Sequence, residues 1–244
     1  MIQFDLLEIE HWQPLAWLGL TSKFFTVNFE TVLHTWMVMI LLFISIIGIR
    51  YILQHKKSPV RYAIMSVMMF LVQIVEQTIG YFSFAHFSFI GTLFIFIALC
   101  NTATLIPWLD EPTKDINTTL AFGSIAFLYV QACAIGAHGI REYTAEFFKP
   151  IFIMFPLHVI SKLAMIISIS FRLFGNIFGG AIIGGLYLSL IKGSLIFETI
   201  GLLSGFNFVI ALFFGLFEGV LQAFIFTVLT ITYISIAMAH EEEA

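Results

Sequence analysis

An arginine, Arg172, lies near the middle of a long apolar segment of this sequence and is its strongest candidate for chemistry. A charge at that depth in a membrane costs about 3 kcal/mol on insertion scales, so such charges usually face protein or water and carry function. The alternative is an arginine that only snorkels to a headgroup. That requires a nearby helix end, but roughly twenty apolar-rich residues flank Arg172 on each side. We therefore expect Arg172 to have a partner.

The residues around Arg172 form a polar or side-chain-free stripe. Positions three and four apart share one face of a helix. The stripe consists of Ser161, Ser168, Arg172, Asn176 and Gly179. Gly175 and Gly179 also form a G-x-x-x-G pair, and small residues at this period let another membrane helix come close. Although membrane helices are glycine-rich in general, the stripe predicts that something packs tightly against the arginine face.

Other ionisable groups are predicted to lie inside the membrane. Glu218 and Gln222 are four residues apart and share a face, and with Ser168 and Asn176 they could line a wet ion path. A structural acid that bonds to a neighbouring helix is the alternative for Glu218. His158 and Lys162 lie one turn apart, and both an ion-path role and an ordinary snorkelling lysine remain open for them. Two other acids, Glu76 and Glu198, are interpreted as interfacial.

Composition limits the fold class. The 244 residues are 60% hydrophobic and 11% charged, whereas soluble domains carry about a quarter charged residues. The alternating pattern of a membrane barrel is absent, so we predict an all-α polytopic membrane protein with a single domain, 1–244. No nucleotide, zinc or other cofactor motif is found, and Cys100 and Cys133 lack ligand spacing. The net charge of −4 gives no reason to expect a nucleic acid partner.

Apolar segments and loop charges predict the topology. We expect about five membrane helices, one amphipathic surface helix and a C-terminal hairpin of two long tilted helices. The segments are an N-terminal approach at 1–30, a first span at 31–53, a surface helix at 62–81, a helical hairpin at 87–138 and a long hairpin at 151–239. The basic loop after the first span is assigned to the cytoplasm, which places the N-terminus outside and the C-terminus inside.

The two last segments, 151–191 and 195–239, are about twice the twenty residues that a bilayer requires. They must tilt steeply, lie partly in the membrane plane or break at glycines. The acidic loop DEPTKDIN joins the two preceding spans, and its Pro112 and Asp115 predict a break and a helix start.

Two motifs, SISFRLFGN and QAFIFTVLTITYIS, resemble the signature of subunit a of the bacterial F-type ATP synthase. LIPW, PTKDINTTLAF and FPLHVIS extend the resemblance over roughly residues 87–239. The resemblance implies a non-catalytic stator subunit of the bacterial inner membrane, with two offset half-channels that couple H⁺ or Na⁺ flow to rotation. The implied partners are the c-subunit ring, the b-subunit peripheral stalk, the other synthase subunits and membrane lipids.

The resemblance also implies residue roles. Arg172 corresponds to the essential arginine that faces the c-subunit ring, with Asn176 and Gln222 as its polar neighbours. Asp115 and Asn117 correspond to an outer-side polar set, and Gly175 and Gly179 are assigned to the ring-contact face.

This chain departs from the family pattern at two positions. Many bacterial members have an acid nine residues after the arginine and a histidine or acid seven residues before the glutamine, where this chain has Ala181 and Gly215. Glu218 lies one helical turn from Gly215, so we predict that it replaces the second group.

Two rival functions remain. In a secondary transporter, Arg172 would grip an anionic substrate, but internal repeats and paired interrupted helices are not found in the sequence. A purely structural scaffold would not need an arginine and a glutamate at membrane depth.

Overall fold

The computed structural model describes residues 11–12, 27–54, 59–106, 108–148, 151–191 and 205–239, and almost all of them are helical. The helices are α1 (Phe29–Gln54), α2 (Pro59–Ile79), α3 (Phe84–Asn101), α4 (Ile116–His138), α5 (Ile140–Glu146), α6 (Phe155–Ile191), α7 (Phe206–Ala211), a π segment (Leu212–Glu218) and α8 (Gly219–Met238). Three-residue 3-10 turns lie at Ala103–Leu105, Pro112–Lys114 and Phe152–Met154. Two short strands, β1 (His11–Trp12) and β2 (Val27–Asn28), pair antiparallel. The predicted all-α polytopic class is confirmed.

Six helical stretches of the described chain are long and apolar enough to cross a membrane, one more than the five predicted. The additional stretch is α2, which was predicted to lie on the membrane surface. Its second half packs on the bundle, because Leu71 and Val75 are buried and Ser235 Oγ donates a hydrogen bond to the Thr78 carbonyl at 2.7 Å. Its length admits a crossing, and its placement at the surface stays a prediction.

The loop between α3 and α4 follows the predicted turn chemistry. Pro112 opens a 3-10 turn, and Asp115 caps α4 by accepting a hydrogen bond from the Asn117 backbone N–H at 2.9 Å. An aspartate at this position satisfies one of the free N–H groups of the first helical turn. Gly139, with φ of 79°, ends α4 in a conformation that glycine adopts without steric cost.

The core is built around α8. This helix packs against α3 and α4, and to a smaller extent against α2 and α6. Its buried residues, among them Ala223, Phe226, Ile231 and Ile234, recur at three- and four-residue spacing and form one broad face that runs the length of the helix. The last helix of the chain thereby positions the residues of α3, α4 and α6 relative to one another.

The longest helix, α6, packs on one side only. At 1.5 Å per residue its 37 residues extend about 55 Å, far more than the roughly 30 Å apolar thickness of a bilayer. It runs without interruption through Gly175, Gly179 and Gly180, so a break at glycines, one of the three alternatives, does not occur in this helix. Tilt, or a course partly in the membrane plane, remains to account for its length. The predicted hairpin turn at 192–194, and Glu198, lie outside the described residues.

A close contact fixes α6 against α4. A Cβ built on Gly123 would overlap the hydroxyl of Ser170, so only a residue without a side chain permits this approach.

The bundle has two ends, which are named here by the segments that they contain. The turn end contains residues 109–116, and the α5 end contains residues 138–148 and 151–155. α1 begins at the turn end, where Thr31 Oγ1 donates to Asp115 Oδ2 at 3.3 Å.

Candidate functional site

Arg172 lies on the open side of α6. Its side chain is exposed, and it forms no hydrogen bond or ion pair with any residue that the structure describes. The buried side of the helix carries Ile169, Ser170, Leu173 and Ile177. Ser161, Ser168 and Arg172 of the predicted stripe thus lie on a surface that the described residues leave uncovered, and the partner expected for Arg172 is not found among those residues.

The glycines of α6 divide between two faces. A Cβ built on Gly175 or Gly179 meets nothing within 4 Å, whereas one built on Gly180 would lie 3.0 Å from Phe214 Cδ1 and 3.3 Å from Glu218 Oε2. Gly175 and Gly179 therefore keep the arginine face flat, and Gly180 makes room for the π segment.

Two predicted site residues are bonded to each other. Asn176, one turn after Arg172 on α6, donates from Nδ2 to Gln222 Oε1 on α8 at 2.6 Å. Gln222 is only 1% exposed, and its Nε2 finds no partner in the described part of the chain. The pair joins the arginine helix to the core and leaves one buried donor available next to Asn176.

A cavity of about 400 Å³ lies between α6, the π segment and the turn end. At the turn end it is lined by Glu111 and Lys114. At its deep end it is lined by Asn176 and Glu218. Along α6 its wall consists largely of small residues, Gly180, Ala181, Gly184 and Gly185. The cavity therefore reaches to within one helical turn of Arg172 without including it.

Glu218 and both departures from the family pattern line this one cavity. Ala181 is on the α6 wall, and Gly215 and Glu218 are on the π segment. Glu218 is half-buried, with its carboxylate beside the backbone of Gly180. That Glu218 replaces the ionisable group at position 215 stays a prediction.

Charged side chains form a network at the mouth of the cavity. Lys114 Nζ lies 2.5 Å from Glu111 Oε2 and 3.4 Å from Asp110 Oδ1. Burial acts to lower the pKa of Lys114, but these two carboxylates outweigh it and the net pKa is raised. The ammonium is consequently charged at neutral pH.

The structure does not bring every predicted residue to the cavity. Asp115 and Asn117 lie at the α4 cap, where Asp115 also accepts from Thr31, and neither side chain lines the cavity. Ser168 is exposed on the arginine face one turn before Arg172. These residues stay predictions as members of an ion path.

His158 and Lys162 lie at the α5 end, far along α6 from the cavity. Lys162 Nζ donates to Gln131 Oε1 at 3.3 Å and stands 4.6 Å and 4.7 Å from the ring centres of Tyr143 and Phe147. The His158 ring is edge-on to Phe147 at 6.5 Å. Both residues are held in aromatic packing, so the structure separates them from Arg172 and Glu218.

Sequence reasoning missed several residues at the cavity. Thr104 and Leu105, just beyond α3, contact Gly215 of the π segment, and Asn101, the last residue of α3, contacts Gly219 at the start of α8. Glu111, Lys114 and Tyr187 line the cavity. Asn101 was visible as an amide inside an apolar run, but the contact of α3 with the π segment was not. No group of three or more potential metal ligands occurs among the described residues.

Comparison with known proteins supports the resemblance of the motifs. A family model described as ATP synthase A chain matches residues 32–235. ATP synthase subunit a of Moorella thermoacetica is 35% identical over 207 residues, which cover 85% of this chain and 89% of the relative. ATP synthase subunit a 2 of Acaryochloris marina is 30% identical over 218 residues, covering 87% and 86%. This chain therefore belongs to the ATP synthase A chain family.

Proposed function

We propose that this chain is the ion-conducting stator subunit of an F-type ATP synthase, which couples the flow of H⁺ or Na⁺ to rotation of a ring of c subunits. One observation carries the proposal. A cavity leads from the charged turn end to Asn176 and Glu218 and stops one turn from Arg172, which is exposed and has no ion-pair partner among the described residues. Bond formation in ATP belongs to other subunits of the complex.

The cavity is proposed to be the outer of two offset half-channels. From Leu188 near its mouth to Asn176 at its deep end it follows α6 for about 18 Å at 1.5 Å per residue. An ion at the deep end of the cavity would therefore lie roughly half-way across the apolar layer of the bilayer. Glu218 is placed to pass a proton from the cavity towards the arginine face.

Arg172 is proposed to act on the ring from the uncovered face of α6. A guanidinium about 4 Å from a rotor carboxylate would stabilise its ionised form by about 4 kcal/mol at an effective dielectric constant of about 20. It would also block a direct leak between the half-channels. An ion must then travel round the ring, and the membrane potential supplies about 2.3 kcal/mol per charge per 100 mV.

The stripe of Ser168, Arg172, Gly175 and Gly179 is the proposed contact face for the c-subunit ring. Its flat glycines admit a close helix. The other synthase subunits, including the b-subunit stalk, are further partners. We place the protein in the bacterial inner membrane with the turn end and the N-terminus outside. The C-terminus and the basic loop after α1 are then cytoplasmic.

The geometry argues against the transporter alternative. A transporter that binds an anionic substrate at Arg172 would hold the arginine inside a cavity between its helices. Here the cavity stops short of Arg172, and the guanidinium is on the outer surface of the chain. A second protein, rather than a small substrate, fits that position.

The test is replacement of Arg172 in the complete synthase in membrane vesicles. Loss of about 4 kcal/mol predicts that Arg172→Ala lowers ATP synthesis and ATP-driven pumping roughly a thousandfold. The amount of assembled complex should stay the same, because Arg172 is exposed and forms no hydrogen bond or ion pair within the described chain. Arg172→Lys should also fail, because lysine lacks the planar guanidinium fork.

Arg141→Ala is the matched control, because Arg141 is an exposed arginine at the α5 end. It should pump at the wild-type rate. Normal pumping by Arg172→Ala would exclude the proposed function, and crosslinks from Gly175→Cys or Gly179→Cys to this chain alone would exclude the proposed ring contact.

A further inference from the structure

The last helix changes its winding immediately before the buried α8. Residues Leu212–Glu218 form a π helix between the α-helical residues of α7 and α8. A π turn bonds each N–H to the carbonyl five residues back, rather than four as in an α helix. Glu218 is the last residue of this segment and lines the cavity. Its carboxylate is therefore held where the two windings meet.

Asn101 on α3 supplies a donor at this point. Its Nδ2 donates to the Gly219 carbonyl at 2.9 Å, and the whole residue is buried. Its Oδ1 has no partner in the described chain. A buried polar atom left unsatisfied costs about 1–3 kcal/mol, so an apolar residue would avoid a cost that Asn101 incurs. What the amide provides in return is the bond to Gly219.

Two glycines bring α3 close enough for this bond. A Cβ built on Gly219 would lie 3.1 Å from Asn101 Cβ and 3.3 Å from the Asn101 backbone. A Cβ built on Gly215 would lie 3.1 Å from Leu105 Cδ2 and 3.2 Å from Thr104 Cγ2. The end of α3 and its 3-10 turn thus lie directly against the backbone on both sides of Glu218.

We propose that Asn101 is a positioning residue for ion transfer, which holds the π winding through the Gly219 carbonyl and thereby keeps Glu218 directed into the cavity. This inference rests on the proposed function, because Glu218 matters only if the cavity conducts. Rewinding the segment by one residue to an α helix would rotate it by about 100° relative to α8. Since α8 is anchored in the core, the rotation would fall on the residues before Glu218, among them Phe214 and Gly215, which line the cavity beside its carboxylate.

The experiment uses the complete synthase in vesicles and compares Asn101→Leu, Glu218→Gln and the double variant. Asn101→Leu should lower ATP-driven pumping about tenfold, the size expected when a reacting group is misplaced by a fraction of an ångström or more. The assembled complex should be as abundant as in the wild type. In the Glu218→Gln background, Asn101→Leu should lower pumping by less than about twofold, because the residue that it positions is already gone. Thr102→Val is the control, because the Thr102 hydroxyl bonds only to the Ala98 carbonyl of its own helix turn.

A direct readout accompanies the pumping assay. Amide hydrogen exchange of the peptide that contains residues 212–219 should be faster in Asn101→Leu than in the wild type, and unchanged in Thr102→Val. If Asn101→Leu prevents assembly, Asn101→Asp, which keeps the shape of the side chain, takes its place in both measurements.

The results separate this inference from the proposed function. The positioning role is overturned if the Asn101 variant pumps at the wild-type rate. It is also overturned if the Asn101 substitution causes the same loss of pumping in the wild-type and Glu218→Gln backgrounds. The proposed function stands in either case as long as Arg172→Ala is inactive. An active Arg172→Ala overturns the proposed function. In that case, unchanged hydrogen exchange of residues 212–219 in Asn101→Leu would also overturn the structural role of Asn101. Faster exchange would show that Asn101 still stabilises the segment.

Discussion

The two ends of α6 are built in opposite ways. Towards the turn end the helix presents Gly180, Ala181 and Gly184 to a cavity of about 400 Å³. Towards the α5 end it presents Met165, Ile166 and Ile169 to α4 and α8, and the gap between these helices has essentially no volume for a water molecule. On its packed side, α6 therefore borders a cavity at one end and closely packed side chains at the other.

This difference indicates how much of an ion path one chain supplies. The turn-end cavity is lined by residues of this chain, from Lys114 to Asn176. At the α5 end, the described residues enclose no comparable space beside α6, and the exposed stripe is the surface that remains. We infer that the inner half-channel is completed by the c-subunit ring or by lipid-facing water along that stripe, whereas the outer one is preformed.

The largest effect in this comparison is expected at Glu218. Glu218→Ala should slow ion flux about a hundredfold, because general acid–base groups contribute about 10²–10⁴ in rate, and Glu218→Gln should slow it somewhat less. The measurement is ATP-driven pumping, together with passive flux through membranes stripped of the catalytic subunits. Wild-type flux in Glu218→Ala would show that water alone carries the ion and would return Glu218 to the structural interpretation.

A second-site variant sharpens this prediction. Glu218→Ala with Gly215→Glu should recover part of the flux, since both positions line the same cavity. A side chain at residue 215 meets Leu105 and Thr104 at 3.1–3.2 Å, so the addition of Leu105→Ala should improve the recovery. No recovery in either combination would indicate that the position of the carboxylate, and not its presence, is limiting.

The sequence predicted the helical elements and, among the polar residues that line the cavity, Asn176 and Glu218, for physical reasons that differ between regions. The Asp115 cap and the α4 span follow from local chemistry, and the depth of Arg172 follows from the cost of a membrane charge. The π winding, the Asn101–Gly219 bond and the pairing of Lys114 with Glu111 could not be predicted, because they depend on how distant segments pack. The assignment of α2 to the surface rested on Gln73, Glu76 and Gln77, and composition alone does not decide between a surface helix and a tilted span.

The next largest effect is expected at Gly179 and Gly180, two neighbouring residues of α6 that lie on its arginine face and its cavity face. Gly179→Leu should lower pumping about tenfold by holding the ring away, yet leave the subunit folded, because no atom of the described chain lies within 4 Å of its Cβ. Gly180→Leu is the matched variant on the cavity face. It should displace Phe214 and Glu218 and lower the stability of the subunit, with an overpacking cost of about 1–3 kcal/mol. Pumping, assembly and thermal inactivation distinguish the two, and identical profiles would refute the separation of faces.

A smaller effect is expected at the α5 end. Lys162→Met removes the contacts of the ammonium with Tyr143 and Phe147, each worth about 0.5–1 kcal/mol. Gln131 keeps its hydrogen bond from the Tyr143 hydroxyl at 2.5 Å. The variant should therefore lose about 1–2 kcal/mol of stability and no more than about threefold in pumping. Lys162→Arg is the control and should stay near the wild type. A loss as large as that of Glu218→Ala would place Lys162 in the ion path and end the contrast between the two ends of α6.

The smallest effect is expected at the mouth of the cavity, where Lys114 pairs with Glu111 and Asp110. The net pKa of Lys114 is raised because the two carboxylates outweigh the effect of burial. The ion pair therefore stabilises the fold fully below the ordinary lysine pKa of about 10.4, and the contribution is lost as the pH rises through the higher pKa of the folded state. Since the Lys114 side chain is 32% exposed, Lys114→Met should cost less than about 1 kcal/mol at pH 8, and less still at high salt. Thermal inactivation of the assembled complex at pH 8 and pH 11 measures this, and the difference between variant and wild type should narrow at pH 11.

Pumping should change by less than about twofold, because the preformed cavity wall is made by the small residues of α6 and not by this pair. A tenfold change in pumping without a change in stability would contradict that account and would assign control of ion entry to the charge at the mouth.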